Sequence, residues 1–192
     1  MKFSETSFMR YIQRLAEKDV SLCNSMIALG SCTMKLNSAV VMIPITWGGF
    51  ANIHPFVPRD QASGYHTMIA ELEDNLVAIT QYDGISLQPQ SGAQGEYAGL
   101  MAIRGYHESR GEGHRNVCLI PTSAHGTNPA TAQICGMKII PVSCTDNGDI
   151  NVEECVKLCQ QYSQNLAAIM ITYPSTFGVF EEGVRTIVDA VH

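Results

Sequence analysis

The sequence lacks several features that would point to common classes of protein. Only 16% of its 192 residues are charged, and the net charge of −6 comes with no basic cluster, which argues against nucleic acid as the main partner. No stretch of about 18 apolar residues occurs, so we expect no membrane span. Residues 1–5 do not lead into the apolar stretch that a signal peptide requires, so we expect no signal peptide.

The seven cysteines do not include the C-x-x-C pair found in many zinc sites. Cys155 and Cys159 are four residues apart and would share one face of a helix, but two further ligands are not evident nearby. We therefore predict buried thiols in a reducing compartment, and no metal.

The spacing of apolar residues predicts helices that alternate with strands. The predicted helices are 4–18, a helix after Ser63 that reaches about residue 79, 93–109, 128–135, 151–162 and 183–192. The predicted strands are 85–88, 117–121, 138–142 and 166–172. Residues 19–62 are rich in glycine and proline and predict a long irregular segment with one short helix near 21–28. The four strand–helix alternations after residue 80 predict an α/β fold with a mainly parallel sheet.

Residues 91–97 (SGAQGEY) join a predicted strand to a predicted helix. Ser91, Gly92 and Ala93 would present a hydroxyl and free backbone amides at the positive end of the helix, where an anion such as phosphate is favoured. The glycine spacing matches neither G-x-G-x-x-G nor a Walker loop. The alternative is a turn of small residues that lets the helix pack closely.

Residues 123–129 (SAHGTNP) form a second junction of the same kind. His125 could stack on an aromatic ring or act as an acid or base; the alternative is a histidine that only caps its loop. A third polar loop, 173–176, follows the most apolar strand and could offer hydroxyls or form a simple turn. Because ligands of open α/β sheets bind at the carboxyl ends of strands, we expect these loops at one edge.

Residues 30–37 (GSCTMKLN) are dense in polar groups. Lys35 could activate the thiol of Cys32, but no paired base is indicated, so a structural thiol is the preferred interpretation. Lys35 could also form a Schiff base, although it lies outside the regular sheet region. Residues 52–58 (NIHPFVP) are stiff, and they either line a site or brace a neighbouring subunit.

Taken together, these segments resemble the glycine decarboxylase (P-protein) family of the glycine cleavage system. The resemblance rests on residues 30–37, 52–58, 91–99 (SGAQGEYAG), 123–129, 165–176 (NLAAIMITYPST) and 178–182 (GVFEE). It runs over essentially all of the chain and corresponds to the first part of the family's C-terminal half. Because the sequence ends inside a predicted helix, we expect a fragment.

The resemblance implies a fold-type-I, aspartate aminotransferase-like domain that depends on pyridoxal phosphate. Residues 1–62 would form an N-terminal helix plus an extended active-site or interface segment, and 63–192 a partial cofactor-binding domain. The implied cofactor-binding residues are Ser91, Gly92 and Ala93 at the phosphate, the catalytic His125 stacked on the pyridine ring, and Thr172 nearby. The implied residues of the substrate entrance are Ser31, Cys32, Thr33 and His54.

The family decarboxylates glycine bound as an aldimine to pyridoxal phosphate and passes the aminomethyl group to the lipoyl arm of H-protein. The resemblance implies a homodimer or heterotetramer, in the mitochondrial matrix of a eukaryote or the cytoplasm of a bacterium. The family's Schiff-base lysine and the acid that pairs with the pyridine nitrogen lie in motifs absent here, and neither Lys35 nor Lys138 matches. We therefore expect the isolated chain to be inactive.

Two positions depart from the family pattern: Gln90 replaces an asparagine, and Phe177 replaces a histidine or asparagine. The second departure puts a polar contact near the cofactor in doubt.

Two alternative interpretations remain. One is a non-catalytic module that binds pyridoxal phosphate or a protein partner. The other is a Rossmann nucleotide-binding domain, against which the glycine spacing counts.

Overall fold

The computed structural model describes residues 4–20 and 38–192, and the chain divides into two units, Met1–Asp83 and Gly84–His192. The predicted helix near 21–28 lies outside the described residues. The predicted division after residue 62 stays a prediction. None of the helices in the described ranges is long and apolar enough to cross a membrane.

The described part of the first unit is helical. Its helices are α1 (Glu5–Ala16), α2 (Ala39–Met42), α3 (Gly48–Ala51) and α4 (Ser63–Thr80), with 3₁₀ turns at Pro44–Thr46 and Arg59–Ala62. Ser4 caps α1, because its Oγ accepts the backbone N–H of Ser7 at 3.2 Å. Residues 38–62 are thus less irregular than expected. Local backbone bonds close these short turns, such as the one from Ala51 N–H to the Trp47 carbonyl at 2.8 Å.

The second unit is built on a parallel sheet, as the sequence predicts. Its strands are β1 (Val117–Pro121), β2 (Lys138–Val142) and β3 (Leu166–Ile169), in the order β2-β1-β3. Leu119 at the centre of β1 lies opposite Ile140 on β2 and Ile169 on β3. The helices of this unit are α5 (Gly92–Ser109), α6 (Thr127–Ile134), α7 (Val152–Gln161) and α8 (Val184–Val191).

Two strand predictions are wrong in part. Residues 85–88 alternate between half-buried and exposed, as a strand would, but pair with no strand among the described residues. The third strand ends at Ile169 instead of Thr172. Met170 N–H still donates to the Leu119 carbonyl at 3.0 Å, but the next bond of the ladder would need an N–H on Pro121, which proline lacks.

The sheet is covered by helices on both faces. Alternate residues of β1 point to opposite sides, so Leu119 packs with Cys155 and Ile187 on one face, while Cys118 and Ile120 pack on the other. The first core comprises Val117, Leu119, Val142, Ile150, Cys155, Cys159, Leu166 and Ile187. The second comprises Leu100, Cys118, Ile120, Ala132, Cys135, Met137 and Ala168. This helix–sheet–helix layering fixes the loops at the carboxyl ends of the strands.

Candidate functional site

The N-terminus of α5 has the features of an anion site. Ser91 caps the helix, and its Oγ accepts the backbone N–H of Gln94 at 3.2 Å. The amides of Gly92 and Ala93 belong to the first turn, where no preceding helical carbonyl is available to accept them. A Cβ built on Gly92 would meet no atom within 4 Å apart from its chain neighbours and its own helix backbone, so the space beside the Gly92 Cα is open. The donors therefore fit a phosphate group.

His125 follows β1 and is exposed, with its ring held by the first residue of α6. The backbone N–H of Thr127 donates to His125 Nδ1 at 3.2 Å, and Thr127 Oγ1 lies 3.0 Å from the same nitrogen. Because these contacts engage Nδ1, the ring face and Nε2 are the parts of His125 that can meet a ligand.

Glu96 joins the two motifs, and sequence reasoning assigned it no role. Thr127 Oγ1 donates to Glu96 Oε1 and Thr131 Oγ1 donates to Glu96 Oε2, both at 3.1 Å. The only signal in the sequence was an acidic residue inside the first motif and two threonines spaced i, i+4 on a predicted helix. The partners are 31 and 35 residues away, which no local pattern reveals.

The third loop is tied to the loop after β1. Thr176 Oγ1 donates to the Ser123 carbonyl, and Ser175 Oγ accepts the backbone N–H groups of Phe177 and Val179, each at 3.3 Å. Thr172, which precedes this loop, is exposed just beyond β3. The predicted cofactor residues thus share the second unit, and hydrogen bonds join residues 123–129 to each of the other two segments.

The two departures from the family pattern have different surroundings. Gln90 is part of the first motif's hydrogen bonds: its backbone N–H donates to Gln94 Oε1 at 2.7 Å, and its Nε2 donates to the Gln88 carbonyl at 3.1 Å. The Phe177 ring is 61% exposed and lies against the Gly148 turn. Phe177 therefore supplies no polar side chain at this loop.

The predicted entrance residues are only partly described. Ser31, Cys32 and Thr33 lie outside the described residues, as does Lys35. His54 belongs to the first unit, where its Nδ1 accepts the Phe56 backbone N–H at 3.1 Å. It borders a cavity of about 490 Å³ that is also lined by Phe50, Arg59, Tyr65 and His66. The entrance role of these residues stays a prediction.

Four of the described thiols are buried and unsuited to nucleophilic chemistry. Burial raises the pKa of Cys118 to about 12 and that of Cys155 to about 12. Burial also raises the thiol pKa of Cys135 and of Cys159. Within residues 4–20 and 38–192, no group of three or more histidine, cysteine or acidic side chains is arranged to hold a metal ion.

Lys138 lies at the wrong edge of the sheet to serve as a Schiff-base lysine for this site. It begins β2, whereas the candidate site lies beyond the carboxyl ends of parallel strands. Its Nζ lies 5.8 Å from the centre of the Tyr162 ring. This geometry agrees with the absence of a matching lysine motif around Lys138.

No protein-family model matches the chain. The chain does match individual enzymes that are named glycine dehydrogenase (decarboxylating). The chain is 60% identical over 189 residues to that of Bradyrhizobium sp. (strain BTAi1), 61% to that of Shewanella amazonensis and 59% to that of Klebsiella pneumoniae. The chain is homologous to one segment of glycine dehydrogenase (decarboxylating). The match takes in 98% of the chain but only 20% of each relative, so the chain spans about a fifth of the length of these glycine dehydrogenases.

A solved structure of glycine decarboxylase (P-protein) of the glycine cleavage system, in inhibitor-bound form, has a similar fold. It aligns with 99% of this chain and 41% of its own, with a TM-score of 0.69 and 14% sequence identity. This likeness confirms the predicted fold-type-I architecture, of which the described sheet contributes three parallel strands.

Proposed function

We propose that the chain forms one wall of the pyridoxal-phosphate site of a glycine-decarboxylating enzyme. The observation that carries the proposal is the N-terminus of α5, where Ser91 caps the helix and the space beside the Gly92 Cα is open. The named relatives support the reaction class. In a bacterial host we place this enzyme in the cytoplasm.

Each residue of the site has a separate role in the proposal. Ser91 and the amides of Gly92 and Ala93 bind the phosphate, with the positive end of α5 favouring the negative charge. The exposed ring of His125 would stack on the pyridine and shield it from water. Thr172, beyond β3, adds a hydroxyl at the same edge.

Pyridoxal phosphate, when bound, supplies an electron sink for the electron pair left as CO₂ departs from glycine. The Thr127 backbone N–H donates to His125 Nδ1, and this bond favours the neutral ring form that carries its proton on Nε2. We propose that the aminomethyl group then passes to the lipoyl arm of H-protein. Glycine and this carrier are therefore the partners that we expect.

The proposal predicts non-covalent binding by this chain, because neither Lys35 nor Lys138 lies in a Schiff-base motif and Lys138 begins β2, at the opposite edge of the sheet. Equilibrium dialysis against pyridoxal phosphate and against pyridoxal tests the phosphate site. We expect pyridoxal to bind at least about tenfold more weakly, since it lacks the anion. Ser91→Ala should weaken the binding of pyridoxal phosphate by about tenfold as well.

Ser4→Ala is the matched control, because Ser4 caps α1 in the same way and lies in the first unit. It should leave the affinity unchanged. Equal binding of pyridoxal and pyridoxal phosphate, or equal effects of the two serine substitutions, would contradict the proposed site. We expect no glycine-dependent CO₂ exchange by the chain alone; full exchange would show that the catalytic apparatus is complete without a further lysine.

A further inference from the structure

The carboxylate of Glu96 connects two helices at the end nearest the candidate site. Its two oxygens accept separate hydroxyls of α6, those of Thr127 and Thr131, each at 3.1 Å. Thr131 is buried and Glu96 is half-buried, so these bonds are partly shielded from water. A half-buried carboxylate with both oxygens occupied holds a defined orientation.

A second contact fixes the far end of the same helix pair. Arg104, eight positions further along α5, donates to the Cys135 carbonyl at the C-terminus of α6 and forms an ion pair with Glu108 at 2.9 Å. The contacts of Glu96 and Arg104 therefore join α5 to both ends of α6. Loss of the Glu96 bonds would free the site end while Arg104 still holds the other.

The bonds of Thr127 extend this contact to His125. A hydroxyl carries one proton, so a Thr127 hydroxyl that donates to Glu96 can only accept from His125 Nδ1. The Thr127 backbone N–H competes for the same nitrogen and requires Nδ1 to be unprotonated. While the Thr127 hydroxyl donates to Glu96, its oxygen can accept from a protonated Nδ1, whereas the Thr127 backbone N–H can donate only to an unprotonated Nδ1.

We propose that Glu96 is a positioning residue for His125. It sets the separation between the α5 amides and the imidazole ring, and through Thr127 it governs how the ring proton is shared between Nδ1 and Nε2. The inference rests on the proposed function, in which the amides bind phosphate and His125 faces the pyridine. The side-chain hydrogen bonds of Glu96 go to Thr127 and Thr131, so it acts on His125 through Thr127.

The test uses ¹⁵N NMR of the histidine rings in the whole chain without cofactor, together with dialysis against pyridoxal phosphate. Glu96→Gln keeps the shape but leaves one acceptor oxygen for two hydroxyls, and Thr127→Val removes the bridge to His125. Both should change the ring ¹⁵N shifts of His125 and weaken pyridoxal phosphate binding by about tenfold.

Two control variants separate positioning from simple bracing. Thr131→Val breaks the other Glu96 bond and should lower the melting temperature without changing the His125 shifts. Glu153→Gln, an exposed glutamate on α7, should change neither. Unchanged His125 shifts in Glu96→Gln, alongside a lower melting temperature, would overturn the proposal and leave Glu96 as a brace.

Thr127→Val keeps the proposal testable even if Glu96→Gln does not fold, because valine matches the shape of threonine and leaves Glu96 in place. Unchanged His125 shifts in this variant would also overturn it. The ring shifts are measured without cofactor, so they are independent of the binding test. Failure of the unaltered chain to bind pyridoxal phosphate would refute the proposed function, whereas unchanged shifts would refute only the role of Glu96.

Discussion

The two units of the chain differ in how they bury apolar side chains. In Gly84–His192, a sheet covered on both faces leaves Leu119 and Ile187 with no exposed surface. Among the described residues of Met1–Asp83 none is buried, and the Phe56 side chain is 90% exposed. The second unit therefore has its own core, whereas the described part of the first depends on local helical bonds.

This difference bears on where a precise site can be built. The cofactor-binding residues that we propose all lie in the unit with the core: Ser91, Gly92 and Ala93 at the start of α5, and His125 and Thr172 after β1 and β3. Rigid support of this kind is what keeps functional groups at defined distances.

In the first unit, α1 exposes a row of apolar side chains at helical spacing: Phe8, Met9, Ile12 and Leu15. Such a face gains stability only when another surface covers it.

A pair of leucine substitutions gives the largest expected contrast. Leu119→Ala removes a fully buried side chain of the central strand and should lower the free energy of unfolding by about 2–5 kcal/mol. Leu72→Ala, in α4, alters a side chain that is 47% exposed and should cost less than about 1 kcal/mol. Urea titration of both variants measures the difference. Similar costs would mean that the first unit has a core of its own.

The buried thiols of the second unit predict that its stability depends on pH. Folding raises the pKa of Cys118 and Cys155 from an ordinary 9.0 to about 12, so the folded state holds their protons more tightly. Stability from this source is complete below pH 9 and falls as the pH rises toward 12, by at most about 1.4 kcal/mol per pH unit for each thiol.

Chemical labelling at pH 8 tests whether these two thiols are buried in the folded chain. Cys118 and Cys155 should resist alkylation in the folded chain and react once it is unfolded, as read by mass spectrometry of the peptides. Rapid labelling of either thiol in the folded chain would show that its part of the core opens readily.

Two glycine substitutions give a smaller contrast. Gly136 ends α6 with φ at +73°, and an added Cβ would lie 2.5 Å from Arg104 Nη1, so Gly136→Ala should cost about 1–2 kcal/mol. Gly64 lies within α4 with nothing within 4 Å of an added Cβ, and Gly64→Ala should stabilise the helix by about 0.5–1 kcal/mol. Thermal unfolding distinguishes the two. A neutral Gly136→Ala would mean that the α5–α6 contact can readjust freely.

Short sequence patterns predicted the elements that are defined by residues close together in the chain. The bounds of α5 and α7 lie within one residue of their predictions, because caps such as Ser91 and Asn151 need only a side chain and an amide three residues later. The bounds of β1 and β2 also match their predictions, since each is an apolar run between turn residues. The fold class followed from the alternation of these elements.

The features that sequence reasoning missed depend on distant partners. Residues 85–88 have the pattern of a strand, but a strand also requires a neighbour with which to pair. The end of β3 depends on Pro121, 49 positions before the chain reaches Met170. Glu96 meets Thr127 and Thr131 only because α5 and α6 pack together. Composition and spacing carry none of this information.

The most direct test of the account is to map where pyridoxal phosphate binds, using ¹H–¹⁵N NMR of the backbone amides. We predict shifts at Gly92 and Ala93, with a change in the His125 ring signals, and no change in α1 or α4. The cavity of the first unit beside His54 and Arg59 is the competing location. Shifts confined to that cavity, with Gly92 and Ala93 unaffected, would contradict the proposed site.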